Sequence, residues 1–267
     1  MSKALRTLYK QMADLFIPPS NTGFFSSCSL QLARIAQYIN KNKRCPDSVD
    51  RSKQFEWYKP ADASIEEYFE TVVKPLRYGQ WIHFEHYYQF LNYKTLDFKP
   101  LQRVIEKFFA PSKEIREIVV KLERTYNIDY EKTFVVFYRG NDKVTETSLG
   151  SYDDFVARAR KIQEAHPDWR CLVQSDETEF IERMLKEFPT AFYFKDEIRH
   201  IPRAPDTTVD KVLASQNFQF SKNFLAVTLI MARAAHIICG TGNCSLWIAL
   251  YRGGASNMDQ FFDKGWV

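Results

Sequence analysis

The second half of the chain alternates two hydrophobic rhythms. Ser112 precedes Ile115, Ile118, Val119, Leu122 and Tyr126, which share one face at helical spacing. Residues 133–139 (TFVVFYR) then form a β-branched and aromatic run of strand length. Ser151 and Asp154 form a capping-box start for a helix carrying Phe155, Ala159 and Ile162. After the His166-Pro167 break, residues 171–174 read as the next strand. A helix over about 177–188, with Phe180, Met184 and Leu185 inward, ends at Pro189, and a strand is expected at 191–194. A loop with Pro202, Pro205 and Asp206 leads to a long apolar helix over 222–235 and a short strand at 236–239. Gly240 and Gly242 then turn the chain into a last helix around 246–251. Alternating β and α elements with near-continuous apolar strands predict a parallel sheet covered on both faces.

The first half is less regular. Asn21, Thr22 and Gly23 form a turn before a helix with Leu30, Leu32, Ile35, Ala36 and Ile39. Ser64 with Glu67 predicts a second helix through Val73. Residues 81–93 (WIHFEHYYQFLNY) are aromatic and partly alternating, open to either strand or helix. The pattern becomes regular near 110–112, which sets an expected division into residues 1–111 and 112–267. The C-terminal tail is left free to pack back on the first domain.

At 267 residues, two domains are the expectation. Hydrophobic residues at 45% and charged residues at 26% supply a core and exclude a disordered chain. A formal net charge of +4 is too small to mark a general nucleic-acid binder and leaves anionic small ligands open. No signal-peptide core and no spanning-length apolar run is visible, because the block at 224–239 is broken by Thr228, Arg233 and His236. The five cysteines, without a CxxC pair, read as reduced structural thiols, so a cytoplasmic setting is expected.

The chemistry gathers at predicted strand ends. Residues 135–146 (VVFYRGNDKVTE) carry an apolar strand directly into Arg139, Asn141, Asp142, Lys143 and Glu146. In an open α/β sheet that edge receives ligands. Arg139 could clamp a diphosphate bidentately, and Glu146 is a candidate general base. A solvated turn after a buried strand would have the same local composition. Two further strand ends carry polar groups: Gln174, Ser175, Asp176 and Glu177, and then the run Gly240, Thr241, Gly242, Asn243, Cys244 and Ser245. The latter has the small residues expected where a helix N-terminus receives phosphate, although it is neither GxGxxG nor a Walker A loop.

The order of these motifs resembles the α1,6-fucosyltransferase group, including nodulation fucosyltransferases, over residues 134–252. FYRGNDKV is the most specific part. The resemblance implies a GT-B-like α/β fold of two Rossmann-like domains facing a cleft, and an inverting, metal-independent transfer from a nucleotide diphosphate sugar to a glycan hydroxyl. It places Arg139, Gly140, Asn141, Asp176, Gly240, Thr241, Gly242, Asn243 and Ser245 at the donor, with Asp142, Lys143 and Glu146 at the chemistry. Gly23, Phe24, Phe25 and Ser26 resemble a cleft-facing loop. No cofactor is implied beyond the GDP- or UDP-linked donor. The chain departs from the family pattern at Phe137, where the family has histidine, and at Gly140, where it has a second arginine; matching Glu146 needs a one-residue deletion. Fucose is therefore one candidate sugar. Another donor such as UDP-xylose, and an inactive nucleotide-sugar or glycan-binding module, stand as alternatives.

His83 and His86 form a metal pair only on a helix, and no further ligand spacing joins them. Either is also an acceptor-side base candidate beside a sugar-stacking aromatic surface, while a core role fits the aromatics equally.

Overall fold

The computed structural model describes residues 13–60, 62–72, 79–195 and 200–267. The chain divides into two compact units, one reaching His86 and resuming over Asp97–Ser112, the other comprising Tyr87–Leu96 and Lys113–Val267.

In the first unit, β1 (Leu15–Phe16) pairs in parallel with β2 (Val49–Asp50), and β3 (Phe69–Glu70) pairs antiparallel with β4 (Ala110–Pro111). Helix α1 (Phe24–Asn42) buries Cys28, Leu32, Ile35, Ala36 and Ile39, and Lys43 ends it in the left-handed region with its N–H on the Ile39 carbonyl at 2.8 Å. Helix α2 (Lys99–Phe108) turns Leu101, Val104, Ile105 and Phe108 inward. Rings dominate the core: Phe24 lies 4.7 Å from Phe55 and 5.0 Å from Tyr68 between centroids, and Phe69 is also fully buried.

Three expectations fail in this unit. Its described residues contain only two-stranded pairs, so no Rossmann-like sheet stands there. The helix expected from Ser64 is a single tight turn, Ile65–Glu67, capped by the Ser64 hydroxyl. The chain then extends into β3, where burying Tyr68 and Phe69 outweighs helix propensity; Val73 lies outside the described residues. The stretch 81–93 is neither one strand nor one helix. Ile82 and Phe84 are buried and their neighbours exposed, the burial rhythm of a strand, but short tight turns follow at His86–Phe90 and Tyr93–Thr95.

The second unit follows the predicted alternation. Helix α3 (Lys113–Tyr126) leads to β5 (Thr133–Tyr138), α4 (Tyr152–Ala165), β6 (Arg170–Ser175) and α5 (Thr178–Glu187). A short α6 (Val209–Val212) precedes α7 (Asn217–Arg233), β7 (His236–Gly240), α8 (Asn243–Arg252), β8 (Met258–Phe262) and β9 (Gly265–Trp266). The sheet order is β6-β5-β7-β8-β9, parallel throughout except for β9. The capping box at Ser151 and Asp154 forms as read.

Alternation along β5 splits the core. Phe134, Val136 and Tyr138 pack with Phe155, Val156, Phe180 and Met184 from α4 and α5, while Phe137 shares a small cavity with Phe224 of α7. Both faces are covered, which is why the whole strand is apolar.

One detail departs from expectation. Residues 191–194 make only one parallel bridge, Phe192 to Leu172, instead of a strand. Near the C-terminus, β8 is a parallel partner of β7 inside the second unit's sheet. A partly buried polar cluster ties this tail to α4: Arg158 grips Asp259 at 2.8 and 2.6 Å, and His236 Nε2 reaches Asp259 Oδ2 at 2.7 Å. All five cysteines are buried and free. Among the described residues, no helix is long and apolar enough to cross a membrane.

Candidate functional site at the sheet's carboxyl edge

From β5 the chain steps through α4 to β6 on one side, and later arrives at β7 on the other. The gap beyond β5 and β7 is therefore a topological switch point, where α/β sheets bind ligands. Because the three strands are parallel, the segments after Tyr138, Ser175 and Gly240 emerge at one edge. This brings together the residues predicted from three separate places in the sequence.

Arg139 is held from two sides. Its Nε donates to Asp176 Oδ2 at 2.9 Å and its terminal nitrogen to Asp142 Oδ1 at 3.2 Å. Burial acts to lower its pKa, but the charges of Asp176, Asp142 and Asp210 outweigh burial and raise it above the ordinary arginine value. The second oxygen of Asp176 accepts the Gly140 N–H at 2.8 Å. Asp176 thus fixes both the guanidinium and the backbone beside it.

Asn141 adopts φ +37, a left-handed conformation that asparagine tolerates better than most residues. Its side chain donates to the Asp176 carbonyl and accepts the Ala204 N–H, both at 2.8 Å. Glu177, only 1% exposed, accepts the Asn141 N–H at 2.8 Å on one oxygen and the Tyr152 hydroxyl on the other. A Cβ at Gly140 would lie 2.1 Å from Glu177 Oε1, so position 140 must be glycine while that carboxylate stays in place.

Beyond Asn141 a tight turn, Asn141–Thr145, presents Lys143 and Glu146, which form an ion pair. Lys143 is largely buried and points toward the turn after β7. A Cβ on Gly242 would meet its Cε at 3.6 Å and its Nζ at 3.8 Å. Gly242 itself has φ +152, a conformation open essentially to glycine. Next to it, a Cβ at Gly240 would meet nothing within 4 Å. The ammonium of the β5 loop therefore stands at the start of α8, whose first turn carries no acidic residue, beside open space over β7.

The side chains of the 240–245 turn serve the protein itself. The Thr241 hydroxyl donates to the Phe261 carbonyl at 2.8 Å, and the Asn243 amide donates to Gln89 at 2.8 Å. Ser245 hydrogen-bonds the Cys239 thiol, which burial nonetheless pushes up to about 12. What this turn can offer a ligand is backbone and glycine space. Gly23 precedes α1, and Phe24, Phe25 and Ser26 form its first turn, not a loop. The two rings are core, and the Ser26 hydroxyl meets His86 Nε2 at 2.8 Å. His83 is exposed. Among the described residues, no group of three His, Cys, Asp or Glu side chains is arranged to hold a metal ion.

Three buried residues around the turn escaped the sequence reading. The Tyr93 hydroxyl accepts the Gly242 N–H at 3.0 Å and faces the Gly242 and Gln89 carbonyls at 2.9 and 3.1 Å. Gln260 holds the Tyr93 N–H at 2.9 Å and donates to Thr241 Oγ1 at 3.0 Å. Gln89 completes the set through Asn243. No periodicity marks such long-range partners; only their polarity within apolar surroundings hints at them.

No family model matches the chain, and no curated protein does. Among solved structures the chain is similar to a NodZ alpha-1,6-fucosyltransferase co-crystallised with GDP, at 14% identity over 51% of this chain and 39% of that one, TM-score 0.36. It is also similar to fucosyltransferase NodZ from Bradyrhizobium, at 14% identity over 61% and 49%, TM-score 0.41. A NodZ structure soaked with GDP-fucose matches at 12% identity over 58% and 47%, TM-score 0.38. The chain spans less than half the length of each of these proteins.

Proposed function

We propose that the protein is a glycosyltransferase that binds a nucleotide diphosphate sugar at this edge and passes the sugar to a glycan hydroxyl. The observation that carries the reading is Lys143 set against Gly242 at the start of α8, at the switch point, beside the open flank of Gly240. A cation, a helix N-terminus and glycine space together suit a diphosphate. Arg139, paired with Asp176 and Asp142, acts here as the post that holds the loop.

In the proposed transfer the Glu146 carboxylate takes the proton of the acceptor hydroxyl. The hydroxyl oxygen forms its bond to the anomeric carbon as the bond to the diphosphate oxygen breaks, and the nucleoside diphosphate leaves with that electron pair beside Lys143. The transfer is inverting and needs no metal. One observation favours a donor other than GDP-fucose: where the fucosyltransferase pattern has an arginine, this chain has Gly140 with the Glu177 carboxylate filling the space above it.

A thermal-shift panel of GDP, UDP and their sugars tests the reading. Stabilisation by one nucleotide series, lost in Lys143→Met, is expected. No stabilisation by any of them would overturn it.

A further inference from the structure

Glu146, but not Lys143, also borders a second concavity, a recess of about 730 Å³ lined by Tyr138, the 144–152 segment and Arg203. Its volume falls within the usual range of small-molecule sites. Glu146, Thr145, Thr147 and Ser148 border it, and among the described residues Arg203 is the one cation that does.

Arg203 is built into that position through its backbone. Its N–H is held by both oxygens of Glu179, at 3.2 and 3.0 Å, and the next N–H, of Ala204, is held by Asn141. A parallel bridge between Glu177 and Ile201 lays the approaching segment along the sheet edge. The side chain, in contrast, is 59% exposed, and its Nε stands 3.7 Å from Glu177 Oε1, beyond hydrogen-bond reach. Both Glu177 oxygens already accept other donors. A fixed backbone thus presents a guanidinium with donors to spare over the recess.

We infer that this recess is the acceptor subsite, and that Arg203 anchors there a carboxylate or phosphate carried by the acceptor sugar. The inference rests on the glycosyltransferase reading for its place in the reaction. Guanidinium recognises either anion by paired N–H donors, and a sugar so anchored has a hydroxyl facing Glu146, while the donor lies on the Lys143 side.

The test titrates the whole protein with glucose, glucuronate and glucose 6-phosphate, followed by ligand-observed NMR, and separately with GDP and UDP. The anionic sugars should bind the wild type on the order of tenfold more tightly than glucose. Arg203→Gln should erase that preference, Arg203→Lys should keep part of it, and nucleotide affinity should be unchanged in both. Equal binding of neutral and anionic sugars to the wild type overturns the inference whatever the variants do. So does a parallel loss of GDP or UDP affinity in Arg203→Gln, which would place Arg203 on the donor phosphates. Failure of the wild type to bind either nucleotide defeats the transferase reading instead, and leaves the anion preference as a separate result.

Discussion

Gly140 and Glu177 occupy what would otherwise be the same space: the carboxylate of one stands 2.1 Å from where a Cβ of the other would be. Asn141 and Tyr152 hold that carboxylate, so it has no free direction in which to retreat. Gly140→Ala should destabilise the protein by about 1 to 3 kcal/mol, the usual cost of overpacking a filled interior. Urea unfolding measures it, and an unchanged midpoint would mean that Glu177 moves freely.

Tyr93→Phe removes the hydroxyl that serves the Gly242 N–H and a nearby carbonyl, leaving buried polar groups unpaired. The expected loss is about 1 to 3 kcal/mol. A purely global effect would slow or speed all amides together; here exchange at Gly242 should quicken more than exchange in β5.

Asp259 gives the fold an acid limit. Burial pushes its pKa up, but the hydrogen bonds from His236 and Arg158 win and hold it well below the usual carboxylate range. A depressed pKa means that this stabilisation is present above the unfolded value, near 4, and is lost as pH falls through the folded one. Asp259→Asn should lower stability at pH 7 and flatten its decline between about pH 5 and 2. Denaturant midpoints across that range decide it.

The thiols should be inert in the native state. Burial pushes Cys45 up to about 11 and Cys239 up to about 12, and Cys28 and Cys171 are raised as well. Iodoacetamide at pH 8 should label the protein at the rate at which it opens, accelerating in urea. Rapid stoichiometric labelling without denaturant would contradict the packing.

Much of the second unit could be read from residue order because its signals are local. The capping box at Ser151, the apolar run of β5 and the glycine turn from the end of β7 into α8 each act within a few residues, and each is found where the spacing puts it. The gathering of Arg139, Asp176 and Gly242 followed from one rule about parallel strands. What could not be read depends on distant partners. Phe69 joins a ring cluster instead of continuing a helix, and Phe24 and Phe25 look like loop residues until Phe55 and Tyr68 are seen around them. Helix α2 is legible in the spacing of Leu101, Val104, Ile105 and Phe108, with Pro100 in the first turn, where a helix tolerates it. Glu177 was visible only as one more acid at a strand end; its role as the reason for Gly140 needs the fold.

Tyr93 has one more consequence. The ten residues around it, Tyr87–Leu96, interrupt the first unit along the chain yet belong to the second, where they hold the turn before α8. Neither unit is therefore a continuous stretch of polypeptide. A fragment cut at Lys113 would keep every strand of the large sheet and still lack the hydroxyl that shapes its own glycine turn. During synthesis that segment emerges long before β7 exists, so the turn must wait for an early part of the chain to be matched with one of its last. The second unit's site is complete only when residues 149 positions apart in the chain have met.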